Sequence, residues 1–157
     1  MGRKLVIMPP SYRRKMSKER LPAVEMYDGV LYQVLRANIP KEGVDVIILT
    51  EELELISGDA RVSYKPPKGD RRWSGFSPVK VPEDVVRRNL EYLKKLFESG
   101  KYDEVFVALG RHWRGAIAGI DELAKKMGVR VLYISGKGLG SYQASLKRWL
   151  KSISSKG

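Results

Sequence analysis

Apolar residues along the chain group into four short runs that are nearly continuous rather than alternating. The runs are LVIM (5–8), VDVIIL (44–49), EVFVAL (104–109) and VRVLYI (129–134). They are rich in Val and Ile, which is typical of strands buried on both faces of a parallel sheet. The pattern therefore predicts four parallel strands at the centre of an α/β domain.

The segments between these runs carry apolar residues every three to four positions, which is the period of an amphipathic helix. The predicted helices begin at capping or first-turn residues and end at Gly or Pro. They are 29–38 with Asp28 as N-cap and Pro40 as stop, a helix from Pro82 to a stop at Gly100, 116–127 with a stop at Gly128, and a last helix with Ser141 as N-cap.

This alternation of strands and helices predicts one domain over residues 1–157. The expected fold is a three-layer α/β/α domain around a mainly parallel, four-stranded sheet. Residues 57–82 break the pattern, with four prolines, three glycines and six basic residues. We interpret them as an irregular basic insertion that forms an ordered flap rather than a disordered excursion, because Trp73 and Phe76 offer apolar surface to bury.

Composition narrows the class of protein. There is no cysteine and only one histidine, which excludes disulfides, thiolate metal sites and His-rich metal sites. Neither a membrane span nor the apolar core of a signal peptide is present, so the expected compartment is the cytoplasm. Charged residues reach 31% and Asn and Gln are scarce, which indicates a thermophilic source.

The formal net charge is +12, from 30 basic and 18 acidic residues. A positive field of this size attracts polyanions, so a nucleic acid or nucleotide is the expected partner. A solvated, Lys-rich surface that only favours solubility is the alternative. The sequence contains no motif that identifies a cofactor.

The loops that follow the four predicted strands are the candidate ligand site. They read PPSYRRK, TEELELISG, GRHWRG and SGKGLGS, whereas the loops at the opposite edge are ordinary turns. Ligands of open α/β sheets bind outside the carboxyl ends of the strands. We therefore expect Ser11, Glu51, His112 and Gly138 to surround one concavity.

Three of these side chains are candidates for catalysis. Ser11 is a possible nucleophile or phosphate ligand, although no GxSxG motif surrounds it. Glu51 is a possible base, and His112 is a possible general acid or base without a neighbouring carboxylate to orient it. The alternatives are a surface charge for Glu51 and a surface or stacking role for His112.

The segment GRHWRG is the strongest candidate for ligand contact. Arg111 and Arg114 offer planar guanidinium groups to phosphate, and Trp113 or His112 offers a ring for stacking on a base. Gly110 would let the backbone approach the ligand closely. In the alternative interpretation Trp113 packs on the following helix and both arginines are solvated.

The segment GKGLGS precedes the last helix, whose N-terminal N–H groups favour anions. It makes Gly138, Gly140 and Ser141 candidate ligand contacts. The segment is neither a Walker loop nor a Rossmann fingerprint, because no Gly-Lys-Ser/Thr ends it and it follows the last strand. The two glycines alternatively make only a tight turn.

Several segments together resemble a known family. IMPPSYRRKMSKERLPAVEMYDGVLYQVLRA resembles its start, which has a strand, Pro-Cys-Ser, basic residues, Pro-Ala, Tyr and Gly before a helix. IILTEELELISGDARVSY, VFVALGRHW and YISGKGLGSYQASLKRWLK resemble its later segments. The family is a poorly characterised α/β domain of unknown function, related to YaaA-type peroxide-stress proteins and to a domain of archaeosine synthase.

This resemblance implies a fold like that of uracil-DNA glycosylase and a link to nucleic-acid bases or nucleoside modification. The positions that match are Pro9, Ser11, Lys15, Tyr27, Tyr64, Gly110, Gly138 and Gly140. Two departures stand out, because Pro10 replaces the family's Cys and residues 51–54 replace its Ala-Lys-Tyr-Gly. If that Cys or Lys is catalytic in relatives, this chain has lost the activity.

Two functions remain open. The first is a protein that binds a nucleotide, base or nucleic acid at the carboxyl edge of its sheet without proven activity. The alternative is an enzyme that modifies a nucleoside or base in a pocket at the same edge.

Overall fold

The computed structural model describes residues 2–68 and 78–154. Within them the strands are β1 (Arg3–Met8), β2 (Leu21–Pro22), β3 (Val44–Leu49), β4 (Leu55–Ser57), β5 (Arg61–Val62), β6 (Tyr102–Val107) and β7 (Arg130–Tyr133). The helices are α1 (Ala23–Met26), α2 (Val30–Asn38), α3 (Glu83–Glu98), α4 (Ile120–Met127) and α5 (Leu139–Ser154), and a 3₁₀ helix spans Arg114–Ile117. No helix in these ranges is both long and apolar enough to cross a membrane.

The main sheet has five strands in the order β4-β3-β1-β6-β7. Its four predicted strands are all present and all parallel, with β1 central between β3 and β6. The fifth strand was not predicted: β4 pairs antiparallel with β3 after a tight turn. Three residues are too few for an alternation of apolar and polar side chains to predict a strand. β4 forms because its backbone pairs with the edge of β3.

Helices cover both faces of the sheet, which confirms the three-layer α/β/α class. Alternate residues of β1 enter two separate cores, because successive side chains of a strand point to opposite faces. Leu5 and Ile7 pack with α3, α4 and the 3₁₀ helix, whereas Val6 and Met8 pack with α1, α2 and α5. All four are fully buried, as their unbroken apolar run predicts.

Three details of the predicted helices are wrong. Gly29, not Asp28, is the N-cap of α2 and makes no side-chain capping bond, because the Asp28 carboxylate pairs with Arg36. The predicted helix 116–127 is divided into the 3₁₀ turn and α4 by Gly119, whose φ is 101°. Helix α5 begins at Leu139, two residues before the predicted cap Ser141.

The predicted insertion 57–82 is partly regular. It contains β5, which pairs antiparallel with β2 and so links the loop after β1 to the segment after β4. Trp73 and Phe76, on which the flap interpretation depended, lie outside the described residues.

A buried asparagine of α3 connects the loop after β3 to the 3₁₀ helix. Asn89 of α3 accepts from the Leu55 N–H at 3.1 Å and donates to the carbonyls of Leu53 and Ala116 at 2.8 and 2.9 Å. Leu53 has a left-handed φ of 67°, which a bulky residue adopts only when its surroundings hold it there. Asn89 therefore fixes the shape of the turn that carries Glu51.

Candidate functional site

The loops after β1, β3, β6 and β7 lie at one edge of the sheet, because these four strands are parallel. Helix α2, which follows β1, packs on one face, and α4, which follows β6, packs on the other. The connections thus change face between β1 and β6, the position at which open α/β sheets bind ligands. Ser11 and His112 follow these two neighbouring strands.

Arg14 is the centre of the loop after β1, although the sequence did not single it out. Its Nε donates to the Ser11 carbonyl at 3.0 Å, and its Nη1 donates to Glu51 Oε1 and to the Lys65 carbonyl, each at 3.1 Å. The guanidinium also lies over the ring of Tyr27, 5.3 Å from its centroid. Arg14 therefore joins the loop after β1 to the loop after β3 and to the segment after β5.

The ion pair between Arg14 and Glu51 is buried, with 4% and 5% of the two side chains exposed. Arg14 Nη2 has no hydrogen-bond partner within the described part of the chain. Burial by itself raises the pKa of Glu51, but the Arg14 hydrogen bond and the Lys68 N–H outweigh burial, so the net pKa lies below the ordinary 4.5. Glu51 is thus an ionised structural partner, which disfavours the predicted role as a base.

Ser11 is buried and engaged on both sides of its hydroxyl. Its Oγ donates to the Arg13 carbonyl at 2.8 Å and accepts the Gly29 N–H at 3.0 Å. A Cβ on Gly29 would lie 2.8 Å from this oxygen, which explains a glycine at that position. Ser11 therefore joins the loop to the start of α2. Because its hydroxyl hydrogen and one lone pair are both used in these bonds, the hydroxyl is not arranged as a nucleophile.

Trp113 is 9% exposed and belongs to the core beneath α3 and α4. This burial contradicts its predicted stacking on a ligand and supports the packing alternative. His112 is half-buried, and its ring meets Trp113 edge-on at a centroid distance of 4.6 Å. The His112 carbonyl accepts the Val79 N–H at 3.0 Å, so this turn also anchors the chain before α3.

The two arginines of GRHWRG differ. Arg114 donates to the carbonyls of Leu109 and Ile134 and lies 4.7 Å above the Tyr133 ring, so it joins β6 to β7 rather than standing solvated. The Tyr133 hydroxyl in turn donates to Asp121, and burial followed by this bond raises its pKa to about 12. Only Arg111 extends from this segment as an exposed cation.

The absence of a side chain at Gly110 allows a close approach, but the group that approaches is another side chain of the protein rather than a ligand. A Cβ there would lie 3.0 Å from the hydroxyl oxygen of Tyr142 on α5. Tyr142 therefore stands against the loop after β6, beside the change of face between β1 and β6. Tyr142 was not among the candidate site residues of the sequence analysis.

In the loop after β7, Gly136 is the position at which the backbone conformation requires a glycine. Its φ is 127°, and a Cβ there would lie 2.1 Å from the Cβ of Ser141. The predicted ligand residues Gly138 and Gly140 have open space around them, and both are exposed together with Ser141. Their predicted contact with an anion stays a prediction.

Each edge of the sheet has paired and unpaired cations. At the amino edge, Arg3 and Lys4 pair with Asp45 and Asp103 at 2.6 and 2.7 Å, whereas the exposed Lys101, Lys125 and Lys126 have no acidic partner within the described ranges. At the carboxyl edge, three cations in separate loops are exposed and have no acidic partner among the described residues: Lys15, Arg111 and Lys137. The carboxyl edge therefore presents uncompensated positive charge to solvent.

The loop after β1 also exposes apolar side chains. Tyr12 is 58% exposed and Met16 is 83% exposed, and Leu139 at the start of α5 is 53% exposed. The other predicted tyrosines do not share this exposure, because Tyr27 is buried under Arg14 and Tyr64 is half-buried. Exposed aromatic surface among cations is a signal that PPSYRRK carried in the sequence and that the prediction did not use.

Two open grooves lie away from these loops. One of about 340 Å³ is lined by side chains of α2 and α5, and one of about 250 Å³ is lined by α1, α2, β3 and Asp59. Residues 2–68 and 78–154 contain no cluster of three or more His, Asp or Glu side chains able to hold a metal ion.

No family model matches the sequence, and no curated protein matches it. Among solved structures, the fold is similar to that of AF0587, whose crystal structure is described as that of a protein of unknown function. The TM-score is 0.53 at 16% sequence identity, and the match covers 96% of this chain and 45% of that chain. The likeness shows the α/β fold, and this chain spans less than half the length of that protein.

Proposed function

We propose that this protein binds nucleic acid or a nucleotide through the carboxyl edge of its sheet. The observation that carries the proposal is a set of exposed cations in three loops at the carboxyl edge, where open α/β sheets bind ligands. Lys15, Arg111 and Lys137 are exposed and lack acidic partners in the described ranges. Uncompensated cations on one edge, in a chain of net charge +12, attract phosphate groups.

Binding is supported better than catalysis. The hydroxyl of Ser11 and the carboxylate of Glu51 are both held by structural hydrogen bonds. A nucleophile or a general base needs a free pair of electrons directed at the substrate. The sequence also resembles a domain family of unknown function that is related to YaaA-type proteins and to a domain of archaeosine synthase, and the link to nucleic-acid bases that this resemblance implies agrees with a nucleic-acid partner.

Charge reversal at the two edges tests the proposal. In one triple variant Lys15, Arg111 and Lys137 are replaced by Glu, and in the control Lys101, Lys125 and Lys126 are replaced by Glu. The control residues are equally exposed and lie at the amino edge, at the start of β6 and the end of α4. Both variants therefore have the same net charge.

Affinity for a fluorescent oligonucleotide is measured by anisotropy across a salt series. We expect the carboxyl-edge variant to lose most of its affinity and the control variant to lose little, with a shallower dependence of log K on log salt for the former. Equal losses in the two variants would show that binding follows net charge alone, and the proposed edge would be wrong. Absence of binding at low salt would overturn the function itself.

A further inference from the structure

We infer that the outer surface of helices α2 and α5 is a second contact for the nucleic acid, so that the ligand is a strand of several nucleotides that extends from the carboxyl edge along α5. This inference rests on the proposed function and decides between a polynucleotide and a single nucleotide. The relationship behind it is a row of exposed cations on α5 that starts near the carboxyl edge and borders a groove between the two helices.

The helices on the two faces of the sheet differ in charge. On one face, α3 and α4 carry six basic and six acidic residues, so their surface is balanced. On the other face, α2 and α5 carry four basic residues and no acidic residue, and the short α1 adds only Glu25. Arg36, the basic residue of α2, pairs with Asp28. The excess of positive charge on this face therefore comes from α5.

The cations of α5 lie on one exposed stripe of the helix. At about 100° per residue, about one third of the helix circumference contains five exposed residues: Gly140, Ala144, Lys147, Arg148 and Lys151. None of the three cations pairs with a carboxylate of residues 2–68 or 78–154. The glycine and the alanine have no long side chain, so a strand can approach the helix closely there.

The stripe is continuous with the carboxyl edge. Helix α5 follows the parallel strand β7, so its first turn lies near Lys137 at that edge. The helix then runs toward the amino edge, where Trp149 Nε1 donates to Glu104 in the first half of β6 at 2.9 Å. At about 1.5 Å per residue, Lys151 lies about 18 Å beyond Leu139. Because one strand of DNA carries a phosphate about every 3.4 Å along the duplex axis, this length corresponds to several nucleotides.

A groove beside the stripe offers further hydrogen-bond donors. It lies between α2 and α5, has a volume of about 340 Å³, and has no acidic side chain in its lining among the described residues. Its polar lining consists of Gln33, Asn38, Gln143 and Lys147. Amide and ammonium groups donate to the phosphate and sugar oxygens by which proteins position themselves on a nucleic-acid backbone. Donors without carboxylates suit a polyanion.

An anionic membrane is the competing partner for a basic helix. Helices that lie on membranes insert large apolar side chains next to their cations. In α5 the large apolar residues Leu146, Trp149 and Leu150 are buried against the sheet. Leu139 in the first turn is exposed, but one leucine buries too little apolar surface for stable insertion. The face therefore favours a nucleic acid over a lipid surface.

The experiment removes the three cations of α5 by replacing Lys147, Arg148 and Lys151 with Gln. The control removes the same charge from exposed positions of α3 on the opposite face, by replacing Arg87, Lys94 and Lys95 with Gln. Gln favours a helix about as well as Lys and Arg do, so both variants should keep the wild-type melting temperature. Anisotropy in a salt series measures binding of a labelled strand of about 12 nucleotides and of a labelled dinucleotide, which is too short to occupy the carboxyl edge and the α5 row together.

We expect the α5 variant to lower the affinity for the longer strand about tenfold or more, and to reduce the salt slope by about 1 for each lost phosphate contact. Its affinity for the dinucleotide and the affinity of the α3 variant for either ligand should change less than about threefold. If the α5 triple variant melts below the wild type, the single variants Lys147→Gln and Lys151→Gln replace it, and each should reduce the slope by about 1.

Three outcomes would overturn the inference. Equal losses in the α5 and α3 variants would show that only net charge matters. A dinucleotide that binds as tightly as the longer strand, with neither affected by the α5 variant, would show a small ligand at the carboxyl edge and leave the proposed function intact. Vesicles of anionic lipid that bind more tightly than the longer strand, and lose that binding in the α5 variant, would make the face a membrane contact. Binding of neither nucleic acid would overturn the proposed function as well.

Discussion

Arg14 and Glu51 form an ion pair in which the Nη1–Oε1 distance is 3.1 Å and about 95% of each side chain is buried. The two residues are 37 positions apart in the chain, and they follow neighbouring parallel strands. The Lys65 carbonyl and the Lys68 N–H bind to the same pair. Three segments at the carboxyl edge are therefore held in place by two charges.

Replacing Glu51 by Gln should destabilise the protein by about 3 kcal/mol or more, because it leaves the buried Arg14 charge without its counter-ion. Chemical denaturation followed by circular dichroism measures the change in the free energy of unfolding.

The matched control is Glu54→Gln in the same turn. Glu54 is half exposed and lies 3.5 Å from Arg88, and exposed pairs of this kind contribute about 0–1 kcal/mol. Equal losses for the two substitutions would show that the Arg14–Glu51 pair does not hold the edge together.

Acid should weaken the fold through the same carboxylate. The folded-state pKa of Glu51 lies below its ordinary value of 4.5, so its contribution to stability is complete above that pH and is lost as the pH falls through the lower folded-state pKa. Wild-type stability should fall as the pH drops below about 4.5, and Glu51→Gln should fall less steeply over that range. Parallel acid titrations of the two proteins would contradict this assignment.

Trp113→Ala should lower the free energy of unfolding by about 3–5 kcal/mol, because it empties a core site beneath α3 and α4. His112→Ala removes an edge-on contact with that ring, and such contacts are worth about 0.5–1.5 kcal/mol. Thermal and denaturant unfolding measure both effects. If Trp113→Ala leaves stability unchanged but weakens oligonucleotide binding, Trp113 contacts the ligand after all.

Gly136→Ala should destabilise by more than about 1 kcal/mol, since the glycine has φ 127° and the new methyl would collide with Ser141. Gly138→Ala provides the matched substitution two residues away, where nothing lies within 4 Å of the added carbon. We expect it to be neutral or to stabilise by about 0.4–1 kcal/mol. The reverse order of effects in melting experiments would show that the turn differs from the one described.

The sequence predicted the sheet well because the signal for buried parallel strands is local. The run LVIM is apolar on every residue, so both faces of its strand must be covered, and parallel neighbours with helices on each side follow from that need. The position of the loops after 8, 49, 107 and 133 at one edge follows from the same argument. Placing the candidate loops therefore required no knowledge of contacts between distant residues.

The roles of individual side chains in those loops were predicted less well. Trp113 and Tyr12 both follow buried strands and both lie next to arginines, yet one is core and the other is exposed. Periodicity does not distinguish them, because neither residue lies in a regular helix or strand. The sequence pattern had assigned stacking to Trp113, which the structure buries in the core.

By itself, then, the sequence determined the main strands and helices and the three-layer class. It also determined the edge at which a ligand is expected and the excess of positive charge. All of these depend on composition and short-range periodicity. Tertiary structure alone decided that Arg14 pairs with Glu51, that β4 extends the sheet, that Asn89 holds Leu53 in a left-handed conformation and that Gly136 rather than Gly138 is required in its turn. The Arg14–Glu51 and Asn89–Leu53 contacts join residues 37 and 36 positions apart, and the β4 pairing and the Gly136–Ser141 contact depend on how a turn folds back on its neighbour. That outcome is set by the packing of whole elements, which short-range periodicity and propensity do not specify by themselves.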